Sequence, residues 1–288
     1  MTSKILILLT ALTALASAQQ KKDAGPPVLT VQQVKPGLFE ITGAGANTEV
    51  RVTRDTLIVV DGKLPGEQIY NALMQQIGSI GKLPVKTLIV TQHHEDHAGN
   101  NDRFLAAGVK VLAHRNQLRD LATYKVEHVP ALPNETYSGG SHTVKEGGVT
   151  VQLYHFGRGH TDGDSVVYFP DLKVIALSDL ITVGSTGPRA DYEGGGSFVE
   201  WPAVLEKVLK LDFDTCIPGA GDILTKADVA AFKVKMDTLV SRAREAVRSG
   251  VPKDQLMAHI RTDDLGWAPR LASVDPFYAE LQKTAPQK

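Results

Sequence analysis

Cysteine is almost absent from this chain of 288 residues, which contains only Cys216. A single thiol cannot form an intramolecular disulfide, so the apolar core must stabilise the fold. With 42% hydrophobic residues, the chain can bury a sizeable core, and a domain of this length needs no disulfide. Cys216 lies in a short apolar run before Pro218. This position predicts a buried structural thiol rather than a reactive or metal-binding one.

An excess of charge of either sign is also absent. The chain has 31 basic and 32 acidic residues, and its formal net charge is −1. Nucleic-acid-binding proteins usually carry a basic patch or stripe. The composition therefore argues against a nucleic-acid partner, and we expect a small-molecule substrate instead.

The sequence has no apolar run long enough to span a bilayer comfortably. The segment Ile5–Leu15 follows Lys4 and precedes Ala16-Ser17-Ala18. A basic start, a short apolar segment and an Ala-x-Ala end predict a secretory signal peptide over residues 1–18, with an N-terminal membrane anchor as the alternative. Cleavage after Ala18 would give a periplasmic or secreted protein without stable membrane insertion, and residues 19–28 would form a flexible leader.

Strand and helix patterns alternate along the rest of the chain. Short runs of β-branched and aliphatic residues predict strands. Ile69, Leu73 and Ile77 recur at every fourth position and predict a helix over residues 65–80. Residues 127–148 have a weaker pattern interrupted by Pro and Gly, which predicts a loop that could act as a flap. The alternation indicates an α/β protein.

Potential metal ligands concentrate in Gln92–His97, where three His, two acids and one Gln follow the predicted buried strand Thr87–Val90. Open α/β sheets bind ligands beyond the carboxyl ends of their strands, and imidazole with carboxylate suits zinc or a similar divalent ion. Side chains alternate in direction along an extended segment, so this cluster is expected to serve two neighbouring metals rather than one. Other strand-end loops carry further donors, namely His160, Asp179 and Asp222.

Asp61 ends the strand predicted at Thr56–Val60. Two interpretations remain open for it. Asp61 is either a turn residue or an acceptor that orients a metal-bound His.

Together these segments resemble the metallo-β-lactamase-fold hydrolase superfamily. Gln92–His97 is similar to its His-x-His-x-Asp-His motif, and Gly159–Thr161, Asp179 and the turn Pro218–Gly221 follow in the same order. The resemblance covers about residues 31–249. It implies a four-layer αβ/βα sandwich of two mixed β-sheets flanked by helices, with the site at one edge. We assign residues 29–250 to this domain and residues 251–288 to a C-terminal helical extension packed on it.

The chain departs from the family pattern at two ligand positions. The resemblance implies a first metal held by Gln92, His94 and His160, and a second held by Asp96, His97 and a His of the turn, with Asp179 bridging both. Gln92 stands where a His is usual, and Ala220, which has no donor atom, replaces the His of the turn. His93 and Asp222 are candidate substitutes. The expected cofactor is one or two Zn²⁺ ions, because three protein ligands with water still suffice for a catalytic zinc.

The function implied by the resemblance is that of an exported zinc-dependent hydrolase. A metal-bound hydroxide would attack the carbonyl-type bond of a lactam, lactone or ester, and Asp96 would orient the water or accept its proton. Export and Gln92 favour a β-lactamase, whereas Asp179 favours a lactonase or esterase, because β-lactamases usually carry Cys or Ser there. The loops over residues 184–196 and 139–140 are candidate substrate contacts. The missing ligands leave an alternative, a metal-poor, weakly active or non-catalytic binding protein on the same scaffold.

Overall fold

The structure, a computed structural model, describes residues 27–184, 187–268 and 273–284. The predicted signal peptide lies outside the described residues, as does the predicted leader except for Pro27 and Val28. Within the described residues, no helix combines the length and the apolar character needed to cross a membrane.

The first β-sheet has seven strands that neighbour one another in sequence order. These strands are β1 (Thr30–Lys35), β2 (Leu38–Thr42), β3 (Thr48–Val52), β4 (Leu57–Val60), β5 (Val85–Val90), β6 (Lys110–His114) and β7 (Glu135–Tyr137). Pairing is antiparallel from β1 to β4 and parallel from β4 to β7. The parallel half brings the carboxyl ends of β4, β5 and β6 to one edge of the sheet.

The second β-sheet has six strands. These are β8 (Ser141–Glu146), β9 (Val149–Tyr154), β10 (Val166–Phe169), β11 (Val174–Ser178), β12 (Thr215–Pro218) and β13 (Leu224–Thr225). Their order in the sheet is β13-β12-β11-β10-β9-β8. Only the pair β11–β12 is parallel, so both sheets are mixed, as the sequence predicted.

Helices cover the outer faces of both sheets. They are α1 (Glu67–Ile80), α2 (Glu95–Ala98), α3 (Asn101–Ala106), α4 (Asn116–Thr123), α5 (Trp201–Leu209), α6 (Lys226–Arg248), α7 (Leu256–Ile260) and α8 (Val274–Thr284). Single 3₁₀ turns occupy Lys253–Gln255 and Asp263–Leu265.

Alternation along the strands creates the layers. In β4, Leu57 and Val59 pack in one apolar cluster with Leu73 of α1, whereas Ile58 and Val60 pack in another with residues of the second sheet. Successive strand side chains point to opposite faces, so one strand contributes to both clusters. Burying each such side chain stabilises the fold by roughly 1.5–3 kcal/mol.

A third apolar cluster lies on the far side of the second sheet. It joins Ile175 of β11 to Leu205 of α5 and Met236 of α6. The layers therefore run helix, sheet, sheet, helix, which confirms the predicted four-layer sandwich. Phe277 of α8 belongs to the same cluster and packs against Phe198 with ring centroids 4.9 Å apart.

The prediction of a loop over residues 127–148 was wrong for two segments, because β7 and β8 lie within it. All six residues of β8 pair with β9. Only Val144 and Glu146 of β8 are buried, so the strand has too little apolar alternation to be recognised from sequence. Pairing with a neighbour, rather than local propensity, decides its conformation.

Candidate metal centre

The cluster Gln92–His97 leaves the carboxyl end of β5 and enters the single helical turn α2, which was expected to be a loop. His94 precedes this turn, and its carbonyl accepts the backbone N–H groups of His97 and Ala98. Gly99 closes the turn against Pro65, where a Cβ would lie 2.4 Å from the Pro65 nitrogen. The turn needs glycine at this position because no larger residue fits without moving the backbone.

The first donor group consists of His94, His160 and Asp179. The Nδ1 atom of His94 lies 3.0 Å from Nε2 of His160, which lies 3.4 Å from Oδ2 of Asp179. The outer nitrogens have acceptors of their own. His160 Nδ1 is 2.6 Å from the Arg189 carbonyl, and His94 Nε2 is 2.9 Å from Asp191 Oδ2.

These contacts decide what the inner nitrogens can do. A neutral imidazole has one N–H, and in both rings the outer nitrogen uses it. If both rings are neutral, two lone pairs face each other across 3.0 Å beside a carboxylate. Such an arrangement is repulsive unless a cation lies between the donors, and outer acceptors of this kind accompany most metal-binding His residues.

The second donor group consists of Asp96, His97 and Asp179. His97 Nδ1 lies 2.7 Å from Oδ2 of Asp61. Its Nε2 lies 3.3 Å from Asp179 Oδ2 and 3.7 Å from Asp96 Oδ2, and is buried without a hydrogen-bond partner. Asp61 also accepts the backbone N–H and the hydroxyl of Thr91. The structure thus places Asp61 at the outer nitrogen of His97, and its role in orienting a metal-bound His stays a prediction.

The donor spacing fits zinc. Bond lengths of about 2.0–2.1 Å in a tetrahedral site separate the ligand atoms by roughly 3.3–3.4 Å. The four separations given above, from 3.0 to 3.7 Å, bracket that value. Asp179 belongs to both groups, so the residues present could hold one ion or two that share this carboxylate.

Electrostatics in the centre are dominated by the carboxylates around His97. Burial opposes its protonation, but Asp61, Asp179 and Asp96 outweigh burial and hold the pKa of His97 well above its usual value. Burial likewise opposes ionisation of Asp179, yet His97 and His160 keep the pKa of this carboxyl well below its usual range.

The replaced ligand positions differ in their surroundings. Gln92 is fully buried; its amide oxygen accepts the His94 N–H at 2.7 Å, and its amide nitrogen lies 3.3 Å from Asp179 Oδ2. Ligation by Gln92 stays a prediction that requires the amide to present its oxygen instead. Ala220 is exposed, and its carbonyl accepts the Val183 N–H. Asp222 is exposed and belongs to none of the donor groups found among the described residues.

Sequence reasoning missed Asp191, which contacts the ligand residues from a distant part of the chain. Besides the bond to His94, its carboxylate lies 3.6 Å from Nε2 of His93. His93 is buried, and its ring packs 4.4 Å from that of His94. The run Gly194–Gly196, noted only as a candidate substrate loop, was the available signal. A Cβ at Gly194 would lie 2.6 Å from both Asp191 Oδ2 and His93 Cε1.

Two cavities open onto the centre. One of about 470 Å³ is lined by Asp96, His160 and Asp179, and the other, of about 500 Å³, by His93, Asp120 and Asp191. Both are also lined by His94, Tyr124 and Arg189. Residues of the segment 187–194 line these cavities, and their contact with substrate stays a prediction, whereas Gly139 and Gly140 line neither cavity.

A four-layer sandwich with His and Asp donors at one sheet edge defines a class of metal-site proteins, and comparison with known proteins places the chain within it. The family model for the metallo-beta-lactamase superfamily matches residues 43–220. The chain belongs to this superfamily, a family of hydrolases that includes β-lactamases, so the resemblance seen in the sequence is confirmed.

Individual relatives are distant. The chain is 27% identical over 232 residues to the alpha subunit of 2,4-dinitroanisole O-demethylase from Nocardioides sp. (strain JS1661), covering 79% of this chain and 68% of that protein. It is 26% identical to the type 2 metallo-beta-lactamase of Bacillus cereus, covering 65% and 71%. A metallo-beta-lactamase structure from Pontibacter korlensis aligns with a TM-score of 0.64 at 19% identity, covering 73% and 99%, and supports the shared fold.

Proposed function

We propose that this chain is an exported, zinc-dependent hydrolase that cleaves a carbonyl-type bond of a lactam, lactone or ester. The observation that carries the proposal is the set of inward-facing ring nitrogens of His94, His160 and His97 around Asp179. Each of these rings has an acceptor at its outer nitrogen, and the donors are spaced as zinc requires. Zinc bound there would activate water and polarise the scissile bond.

The protein residues contribute position and proton transfer. His94, His160, His97 and Asp179 hold fixed ring and carboxylate orientations. The Asp96 side chain is 40% exposed and lines the 470 Å³ cavity. It can therefore accept the proton of an attacking water, a role worth typically 10²–10⁴-fold in rate. Tyr124 and Arg189 line the same cavity and are placed to contact substrate.

A zinc-dependence experiment tests the proposal. Protein stripped with a chelator should hydrolyse neither nitrocefin nor a panel of lactones and aryl esters, and added Zn²⁺ should restore turnover of at least one of them. His94→Ala should abolish that turnover, whereas the matched change His128→Ala, at an exposed surface residue, should leave it intact. Turnover that survives both chelation and His94→Ala would overturn the proposal.

A second candidate function, a metal-poor or non-catalytic binding protein, is favoured by Gln92 and Ala220. Restoring both family ligands with Gln92→His and Ala220→His separates the two functions. If hydrolysis appears only in this double variant, the natural chain is not an efficient hydrolase. If the natural chain already hydrolyses a substrate and restoration adds little, the binding-protein alternative is excluded.

Export has its own test. We expect cell fractionation to recover the protein outside the cytoplasm, with Gln19 as the N-terminal residue after cleavage behind Ala18. Recovery of protein that retains residues 1–18, in the cytoplasm or the membrane fraction, would contradict this part of the proposal.

A further inference from the structure

Beside the two donor groups that the family pattern implies lies a third, formed by His93, His94 and Asp191. It faces the 500 Å³ cavity rather than the cavity that contains Asp96. It uses Nε2 of His94, the nitrogen that points away from His160 and Asp179. We propose that these three residues form an additional site for Zn²⁺ or a similar divalent transition-metal ion, outside the dinuclear centre of the family.

The geometry of the three donors matches a small cation. Asp191 Oδ2 lies 2.9 Å from His94 Nε2 and 3.6 Å from His93 Nε2, and all three ligand atoms lie within 4.8 Å of one another. The separation of roughly 3.3–3.4 Å expected between ligand atoms in a tetrahedral zinc site falls between the two distances from Asp191. Each of these two pairs therefore needs a shift of only a few tenths of an ångström to hold one ion. Two imidazoles and one carboxylate form a set that zinc commonly uses.

His93 has the surroundings of a ligand and not those of a hydrogen-bonded core residue. The residue is 1% exposed, yet its Nδ1 has no hydrogen-bond partner. The nearest carboxylate to Nδ1 is Asp120, at 3.7 Å, whose Oδ2 is also buried and without a partner. Leaving such groups unpaired costs about 1–3 kcal/mol each. A cation on Nε2 would favour the Nδ1–H form and strengthen the contact with Asp120, as outer carboxylates do for other metal-bound His residues.

The backbone around Asp191 is shaped to bring the donors together. Gly194 carries no Cβ, and one placed there would collide with both His93 and Asp191. The Asp191 N–H also donates to the His160 carbonyl at 2.7 Å. The loop that carries Asp191 thus holds the third donor group against His160 of the first donor group.

The outer ion shares His94 with the inner centre. It would replace the proton on His94 Nε2, which passes to solvent, while Nδ1 remains directed at His160 and Asp179. The fourth coordination position opens toward Tyr124 and Arg189, which line the cavity, and is available to water or to a substrate group. The binding of this ion does not depend on the chain being a hydrolase.

Zn²⁺ titration of the chelator-stripped protein, in competition with a chromophoric chelator, tests the site. We expect His93→Asn and His93→Phe each to bind one equivalent fewer than the wild type. Because both residues hold the same ion, the double variant His93→Asn with Asp191→Asn should bind as many Zn²⁺ equivalents as His93→Asn alone. Gly194→Ala should weaken the same equivalent at least tenfold, and His128→Asn should change nothing.

The inference is overturned if both His93 variants bind Zn²⁺ with the stoichiometry and affinity of the wild type. Circular dichroism and urea unfolding in EDTA must show that each variant is folded, and the Phe variant preserves the ring packing if Asn does not. Equivalents are counted without substrate, so a chain with no hydrolase activity can still show the outer site. Equally, an active chain can lack it.

Discussion

Replacing Asp61 with Ala is expected to destabilise the metal-free protein and to weaken its metal binding. Asp61 is 2% exposed and accepts three hydrogen bonds, from the Thr91 N–H and hydroxyl and from His97 Nδ1. The hydroxyl can turn toward Ser178, which lies 2.6 Å away. The Thr91 N–H loses its acceptor in the variant, whereas His97 Nδ1 keeps only the hydroxyl oxygens of Thr91 and Ser178, each at 3.3 Å. The variant therefore leaves one buried donor unpaired and weakens the hydrogen bonding of another.

The magnitude follows from these contacts. The unpaired Thr91 N–H costs about 1–3 kcal/mol, and the weakened hydrogen bonding of His97 costs about 1 kcal/mol. Asp61 also has a φ of 61°, a left-handed conformation that Asp tolerates better than Ala, which adds about 1 kcal/mol. Their sum, about 4 kcal/mol, lies in the range of about 3–5 kcal/mol expected when a buried ion pair loses one partner. Asp61→Asn keeps an acceptor oxygen and tolerates this φ, so it should cost about half as much.

Urea unfolding in EDTA measures the stability change, and Zn²⁺ competition with a chromophoric chelator measures the affinity. Removing the acceptor that hydrogen-bonds the outer nitrogen of a metal-bound His typically lowers metal affinity 10–100-fold. The matched control is Asp237→Ala on the surface of α6, where an exposed pair with Lys233 should contribute less than about 0.5 kcal/mol. Unfolding within 1 kcal/mol of the wild type, together with unchanged zinc affinity, would refute the reasoning.

Other predictions concern stability and reactivity. Gly78→Ala should raise the free energy of unfolding by about 0.5–1 kcal/mol, because Gly78 lies inside α1 with open space around its Cβ position; an unchanged or lower urea midpoint would contradict this. Cys216 is fully buried, and burial raises the pKa of its thiol. A thiol reagent should therefore modify it only after unfolding, and labelling of the native protein would contradict the buried position. Burial lowers the pKa of Lys63 to about 8, below about 10.4 for an exposed lysine. The unfolded chain then binds more protons between these values, so stability should rise with pH from 8 to 10 by up to about 3 kcal/mol. Lys63→Met, compared with the wild type by urea unfolding at both pH values, should remove this rise, and an equal rise in the variant would assign it to other groups.

The strands of the interior were predictable because their chemistry is local. β4 and the last three residues of β5 are runs of Val, Ile and Leu buried on both faces, and such runs predict strands whatever they pair with. The helix over residues 65–80 was also predicted, although it begins at Glu67 rather than Pro65. β8 was not predicted, because only its pairing with β9 makes it a strand.

The candidate metal centre also combines features that the sequence predicts with features that only the tertiary structure creates. The sequence by itself determined the fold family and the donor types at Gln92–His97, His160 and Asp179, because these lie in short motifs that follow recognisable strands. It also predicted that Gln92 and Ala220 stand where the family has His.

Only the tertiary structure decided which nitrogen of each His faces inward and which partner holds the other nitrogen. His94 meets Asp191 across 97 positions of sequence, and no local pattern encodes that contact. The packing of the segment 187–196 against the ligand residues creates it. The same packing turns His93 from a neighbour of the ligands into a candidate ligand itself, because ligation depends on distances of a few ångströms between residues that are remote along the chain.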